Sequence, residues 1–178
     1  MDFKNIYGAG FRHGQIRVAA GTVFDIDAII NIEGDPQQED TEITGDDGIK
    51  ATFSSNRKED ITITANAIGM DVLQAITGNT LATSASGSNI PLGTQSELNP
   101  PFVEVQGVIN ARTDQNTAVV VRRTWVRVQL NKVKINGGNG SELSVEISGK
   151  AVQSAKDITG ATLTPARVAT LAIETGSL

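Results

Sequence analysis

The chain has 178 residues, no cysteine, 4% aromatic residues and a formal net charge of −5. A chain of this length can bury a substantial core by itself, so we expect one domain over residues 1–178. The lack of cysteine excludes disulfides, thiolate nucleophiles and zinc–sulfur sites. The acidic balance argues against general affinity for nucleic acids, which depends on Lys and Arg.

The N-terminal arm, residues 1–14, reads MDFKNIYGAGFRHG and contains no continuous apolar segment. No signal peptide is therefore predicted. No apolar run reaches the roughly 18 residues that a membrane-spanning helix needs, so we expect no membrane role.

Alternation of apolar and polar residues dominates the next part of the chain. It predicts one half-buried strand over residues 22–32. Residues 37–44 and 48–53 are predicted to form a polar hairpin that turns at GDDG, residues 45–48. The buried face of the first strand is expected to carry Thr22, Phe24, Ile26, Ala28, Ile30 and Ile32.

A further strand is predicted over residues 59–67, after which the period changes. GMDVLQAIT, residues 69–77, has helical spacing, and Gly78 is a suitable stop signal. Residues 81–101 are rich in Ser, Thr and Gly and end in two prolines. They predict a surface flap whose length suggests a role beyond connection.

The second half of the chain returns to strand patterns. Residues 102–111 predict a strand with a bulge at Gly107. The long strand predicted over residues 117–135 changes parity, which predicts a bulge near Asn131 or Lys132. NGGNG, residues 136–140, predicts a turn into a strand over 141–151. The C-terminal segment, 154–178, leaves a short strand or a helix open.

Charge is segregated along the chain. Residues 25–47 contain nine carboxylates and no Lys or Arg, whereas residues 112–134 contain six basic residues and one acid. Such charges can be matched within one fold or between copies of it.

The sequence offers little catalytic or cofactor chemistry. The one histidine, His13, has no recognisable partner set, so no catalytic residue, metal site or cofactor is predicted and an enzyme is not expected. Calcium ligation by the acids of residues 33–47 remains an alternative, although they lack the spacing of a dedicated loop. A monomeric β-sandwich binding module, such as an adhesin or a carbohydrate- or calcium-binding domain, is the second interpretation, and a hydrolase is the third.

The order of parts resembles the tail tube proteins, or major tail proteins, of long-tailed bacteriophages. The resemblance covers about residues 15–153: an acidic hairpin, a strand ending in ITITANA, the short helix, the flap, and SELNPPFVEV before two long strands. It implies a mainly β fold, an antiparallel sandwich or barrel with one flanking helix. Six copies would complete a β-barrel ring, and rings would stack into a hollow tube in the virion tail after assembly in the host cytoplasm.

The resemblance also implies a function and partners. DNA would pass through the tube during ejection without specific binding, and other tail proteins (tape measure, tail terminator, distal tail) would be partners. A non-contractile tail is favoured. A negative wall would repel phosphates, so the acids are expected in the lumen or in ring stacking, and the bases at subunit contacts. The acidic candidates are Asp25, Asp27, Glu39, Asp40 and Glu42, and the basic candidates are Arg122, Arg123, Arg127 and Lys132.

Overall fold

The computed structural model describes residues 6–26, 28–45, 48–92, 99–137 and 144–175, and within these ranges the chain is mainly antiparallel β-structure with one α-helix. The predicted fold class is confirmed at this level. The helix is α1 (Met70–Thr77). The strands are β1 (Ile6–Val18), β2 (Val23–Ile26), β3 (Ile29–Gly45), β4 (Gly48–Ala65), β5 (Ala82–Ser84), β6 (Gly87–Asn89), β7 (Phe102–Thr113), β8 (Ala118–Asn136), β9 (Ser144–Val152), β10 (Ser154–Lys156), β11 (Thr162–Arg167) and β12 (Ala169–Thr175).

The prediction of one continuous strand over residues 22–32 is wrong. Ala28 has a φ of 52°, in the left-handed region that ends an extended strand, so the segment divides into β2 and β3. Ile26 and Ile32 are buried as expected, but Ile30 is 53% exposed. The alternation of apolar and polar residues therefore continues across the point at which the chain turns from β2 into β3.

Most of the strands form one rolled sheet. Its hydrogen-bonded order is β2-β1-β7-β8-β9-β4-β3, and β12 also pairs with β8. The end strands β2 and β3 are joined in the chain by residues 27–28 alone, so the sheet must curl until its two ends lie side by side. No pairing of β2 with β3 is present in the described residues, so the roll is open and a closed barrel is not found.

The hydrophobic core fills the inside of this roll. Trp125, Ile16 and Ile63 are fully buried, and α1 contributes further apolar side chains. Burial of each large aliphatic side chain contributes about 1.5–3 kcal/mol. A Cβ at Gly14 would overlap with Ile29, so this glycine allows β1 to approach β3 closely. The buried apolar residues of α1 are Val72, Leu73 and Ile76.

Helix α1 and the start of the flap follow the sequence prediction. Gly78 adopts the left-handed conformation (φ 72°), and its N–H donates to the carbonyl of Gln74 at 3.0 Å. Asn79 then donates its side-chain amide to the carbonyl of Pro91 at 2.7 Å. This bond ties the β5–β6 hairpin of the flap to the end of the helix; residues 93–98 of the flap lie outside the described residues.

One predicted bulge is confirmed and one is wrong. The β8–β9 register shifts between Leu130 and Lys132, where the parity change required an extra residue. Gly107 pairs regularly with Gly14 and with Arg123, so it is not a bulge. Its missing side chain instead leaves room for Phe11, whose ring would lie 2.6 Å from a Cβ at this position.

The predicted polar hairpin is confirmed, and its two strands extend beyond the neighbouring strand β9. Strand β4 pairs with β9 from Lys58 to Ala65, but β3 and β4 continue to pair out to Gly45 and Gly48. Residues 38–45 and 48–57 therefore form a two-stranded arm that extends beyond β9; residues 46–47 lie outside the described part of the chain.

Candidate functional site

One face of the sheet is covered by a row of polar side chains that crosses five strands. The row follows the register of the strand pairs, and its members are Asp25 on β2, Gln15 on β1, Gln106 on β7, Thr124 on β8 and Thr170 on β12. Gln15 Nε2 donates to Asp25 Oδ1 at 2.9 Å, and Gln106 Nε2 donates to Thr124 Oγ1 at 3.2 Å. We call this surface the polar face.

The opposite face of the same strands is apolar. The residues one position along from the polar row are in register with each other and belong to the core: Phe24, Ile16, Val105, Trp125 and Ala169. Successive side chains of a strand point to opposite sides. The polar face is consequently the side of the sheet that is turned away from the core.

Charges on the polar face are largely offset within the chain. Arg17 donates to Glu104 at 2.6 Å, and Arg122 lies 3.4 Å from Glu174 of β12. The Nε2 atom of His13 lies 3.1 Å from Asp25 Oδ1. Arg17 and Arg122 of this face are thus each matched by a carboxylate of a neighbouring strand.

The predicted acidic candidates are separated by the fold. Asp25 lies on β2 within the polar face and is exposed. Asp27 lies outside the described residues. Glu39, Asp40 and Glu42 belong to β3 in the arm, where they are in register with Ser55, Ser54 and Thr52, and their side chains are likewise outside the described part. One acidic stretch in the sequence therefore supplies two different regions.

Three of the four predicted basic candidates have partners within the chain. Arg122 pairs with Glu174, Arg123 donates to Glu59 Oε2 at 2.7 Å, and the Arg127 guanidinium lies 4.1 Å from the centroid of the Phe102 ring. Lys132 is exposed next to the β8 bulge. The charges of Arg122 and Arg123 are therefore matched within the fold, and a role of the four residues between subunits stays a prediction.

The polar row was not predicted from the sequence, and the edge strand β12 was left open between strand and helix. Gln15, Gln106 and Thr124 are neutral residues whose significance depends on strand register, which no local pattern reveals. Strand β12 is formed by ATLAIET, where the sequence left strand and helix open. Its Leu171 and Ile173 are 66% and 41% exposed. The alternation of Leu171 and Ile173 with Thr170, Ala172 and Glu174 was the sequence signal that could have identified this strand.

Several strand edges lack a hydrogen-bonded partner in the described residues. Strand β12 pairs with β8 on one side only, and β3 pairs only with β4. Strand β2 covers β1 from Gly14 to Arg17, so the first half of β1 also has a free edge. Free edges expose unpaired backbone donors and acceptors that can pair with another chain.

The described residues contain no group of three or more His, Cys, Asp or Glu that could hold a metal ion. No helix of the described chain is long and apolar enough to cross a membrane. No protein-family model matches the chain, and a search of curated proteins finds no match.

Proposed function

We propose that this chain is a structural subunit of a bacteriophage tail tube, in which hexameric rings stack into a hollow tube that conducts DNA during ejection. The observation that carries the proposal is the sheet formed by β1, β7, β8 and β12. Among the described residues this sheet has a polar face, an apolar face that packs on the core, and free edges at β12 and at the first half of β1. Such a unit is suited to edge-to-edge assembly into a larger sheet.

The polar face is the surface that we assign to the channel wall. Tight binding of DNA requires Lys and Arg that replace counterions at phosphates. On this face Arg17 and Arg122 are each engaged by a carboxylate, and the row between them carries amides and hydroxyls. A surface of this kind gives passing DNA water and polar groups but few cations to hold it.

The arm supports assembly for a different reason. A two-stranded hairpin is only marginally stable in water when nothing packs against it. Pairing in the arm continues well beyond the last contact of β4 with β9. We therefore assign the arm, with Glu39, Asp40 and Glu42, to a contact with a neighbouring subunit or ring, where the tape measure, terminator and distal tail proteins would meet the ends of the tube.

Negative-stain electron microscopy and native mass measurement of the purified protein test this function. We expect hollow rings of six copies, or stacks of them, at concentrations where assembly is favoured. A protein that stays monomeric at high concentration would contradict the proposal. A monomer whose melting temperature rises with calcium would instead support a binding module.

A further inference from the structure

We propose that the free edge of β12 in one copy pairs, in antiparallel orientation, with the first half of β1 in the next copy. This inference rests on the proposed ring function and goes beyond it, because it specifies which two strand edges meet. The occupant of the β12 edge is thus a second copy of this chain. Four properties of the described residues carry the argument: edge position, strand direction, backbone orientation and exposed apolar side chains.

The two free edges belong to the same part of the sheet. In register, Ile173 of β12 is followed by Val121 of β8, Ile109 of β7 and Phe11 of β1. Strand β2 covers β1 only from Gly14 onward. At the level of Ile173 the described part of the sheet therefore has four strands, with β12 at one edge and β1 at the other.

The directions of these four strands suit head-to-tail assembly. Each of the pairs β1–β7, β7–β8 and β8–β12 is antiparallel, so β12 runs opposite to β1. Rotation about a ring axis preserves the direction of each strand relative to that axis. The β12 of one copy and the β1 of the next would consequently form an antiparallel pair, which continues the pattern of the sheet across the interface.

The backbone of β12 presents its unused groups at two exposed apolar residues. The Val126 N–H donates to the Val168 carbonyl at 3.1 Å, which fixes the phase of the β8–β12 ladder. Pairs in an antiparallel ladder alternate between bonded and non-bonded. Residues 170, 172 and 174 therefore bond to β8, whereas the N–H and C=O groups of Leu171 and Ile173 point away from β8 toward the free edge.

The side chain of Ile173 leaves an apolar row unfinished, and Leu171, which is in register with Arg123, is exposed beside it. They lie on the same face of the sheet as buried Trp125, yet they are 66% and 41% exposed. The row from Phe11 through Ile109 and Val121 is half-buried, and its exposure increases at the β12 edge. A strand added at this edge would extend the row and cover both side chains. The β1 strand of a second copy would supply such a strand.

Cysteine cross-linking tests the pairing directly, because the natural chain has no cysteine. Ala172→Cys is combined with a second cysteine placed at each position from 8 to 13 in turn, and the assembled protein is oxidised. Within one copy the two strands are separated by three strand spacings, about 14 Å, which is too far for a disulfide. We expect a ladder of covalent multimers at one or two of the six positions, and no cross-link with Ala172→Cys alone.

A proline substitution tests the backbone argument independently. Ile173→Pro removes an N–H that points outward and no bond to β8, so an edge strand can accept it. We expect normal far-UV circular dichroism and at least a tenfold higher protein concentration for ring formation. Ile173→Val is the matched control, because it keeps the N–H and should assemble like the natural chain.

The results separate the two proposals. If the natural chain forms hexameric rings but gives no β12–β1 ladder, or if Ile173→Pro assembles normally, the pairing is wrong and the ring function stands. Dimers formed by Ala172→Cys alone would show that β12 pairs with β12 instead. If the natural chain forms no rings at all, the proposed function fails and the pairing fails with it.

Discussion

The indole N–H of Trp125 donates a hydrogen bond of 2.6 Å to Oε2 of Glu59, which joins β8 to β4 across the rolled sheet. The same carboxylate oxygen accepts a bond of 2.7 Å from Arg123, whose guanidinium lies 4.6 Å from the centroid of the Trp125 ring. Trp125 is completely buried. Gly34 completes the arrangement, because a Cβ there would lie 2.6 Å from Glu59 Oε2.

Removal of this acceptor should destabilise the fold. Glu59→Ala leaves a buried indole N–H without a partner and a half-buried guanidinium without its carboxylate, so we expect a loss of about 3 kcal/mol in the free energy of unfolding. Glu59→Gln keeps an acceptor oxygen and should lose about 1 kcal/mol. Urea unfolding followed by the fluorescence of the single tryptophan measures both values. Equal stability of Glu59→Ala and the natural chain would refute the role given to Glu59.

Gly149 should be intolerant of a side chain. A Cβ at this position would overlap with the carbonyl oxygen of Gln129 and lie 2.7 Å from the Cα of Leu130, beside the β8 bulge. Backbone atoms cannot move aside cheaply, so Gly149→Ala should cost about 2–3 kcal/mol or prevent folding. Gly21→Ala is the control: its φ is +87° but no atom lies within 4 Å, so it should cost only about 1 kcal/mol. Thermal unfolding compares the two, and a smaller loss for Gly149→Ala would contradict the register of β8 and β9.

The turn between β10 and β11 should respond to acid. The hydroxyl of Thr159 donates to Asp157 Oδ1, as do the backbone N–H groups of Thr159 and Ala161, and these bonds hold the pKa of Asp157 below its ordinary value of 3.8. Because the pKa is lowered in the folded chain, the carboxylate stabilises the turn fully above pH 3.8 and loses this effect as pH falls through the folded pKa.

Carboxyl-carbon NMR titration measures this prediction. Thr159→Val removes the hydroxyl donor, which is the largest cause of the shift, and should raise the pKa of Asp157 toward 3.8. Amide hydrogen exchange at Ala161 should become faster in the same variant at low pH. An unchanged pKa in Thr159→Val would show that the hydroxyl does not govern the titration.

The polar face should bind DNA more strongly when its acids are removed. Arg122 lies 3.4 Å from Glu174, and both side chains are partly exposed. In Glu174→Gln the guanidinium is available to phosphates, so assembled protein should bind duplex DNA more tightly than the natural chain does. The slope of log K against log salt should steepen by about 0.9 for each phosphate that is contacted.

The matched control for this experiment is the double variant Arg122→Gln with Glu174→Gln. It removes the cation and should return DNA binding to the natural level, as measured by fluorescence anisotropy at two salt concentrations. If Glu174→Gln assemblies bind DNA no better than natural ones, the polar face does not line the channel.

Local patterns predicted several elements correctly because their causes are local. Helix α1 and its stop at Gly78 depend on neighbouring residues, and so does the β3–β4 hairpin. The β8 bulge was visible because an inserted residue inverts the parity of all later side chains. The prediction of one strand over residues 22–32 was wrong because the chain turns at Ala28, whose positive φ is not signalled by its residue type.

The candidate site was harder to predict from the sequence than the secondary structure was. The acidic stretch looked like one cluster, but the turn after β2 places Asp25 on the polar face and Glu39, Asp40 and Glu42 in the arm. The sequence left open whether the basic residues are matched within the fold or between copies, and Arg123 proves to bind Glu59, which is 64 residues away in the chain. Pairing between distant strands decides such contacts, and no short window of sequence contains it.

The sequence by itself determined the class of structure, because alternation, turn residues and glycine stops act over a few neighbouring residues. Tertiary structure alone decided which side chains share a surface and which edges stay open. The row from Asp25 to Thr170 exists only because five strands take a particular order and register. Hydrogen bonding between strands is set by the way in which the whole sheet rolls around its core, and this arrangement depends on all of the strands together.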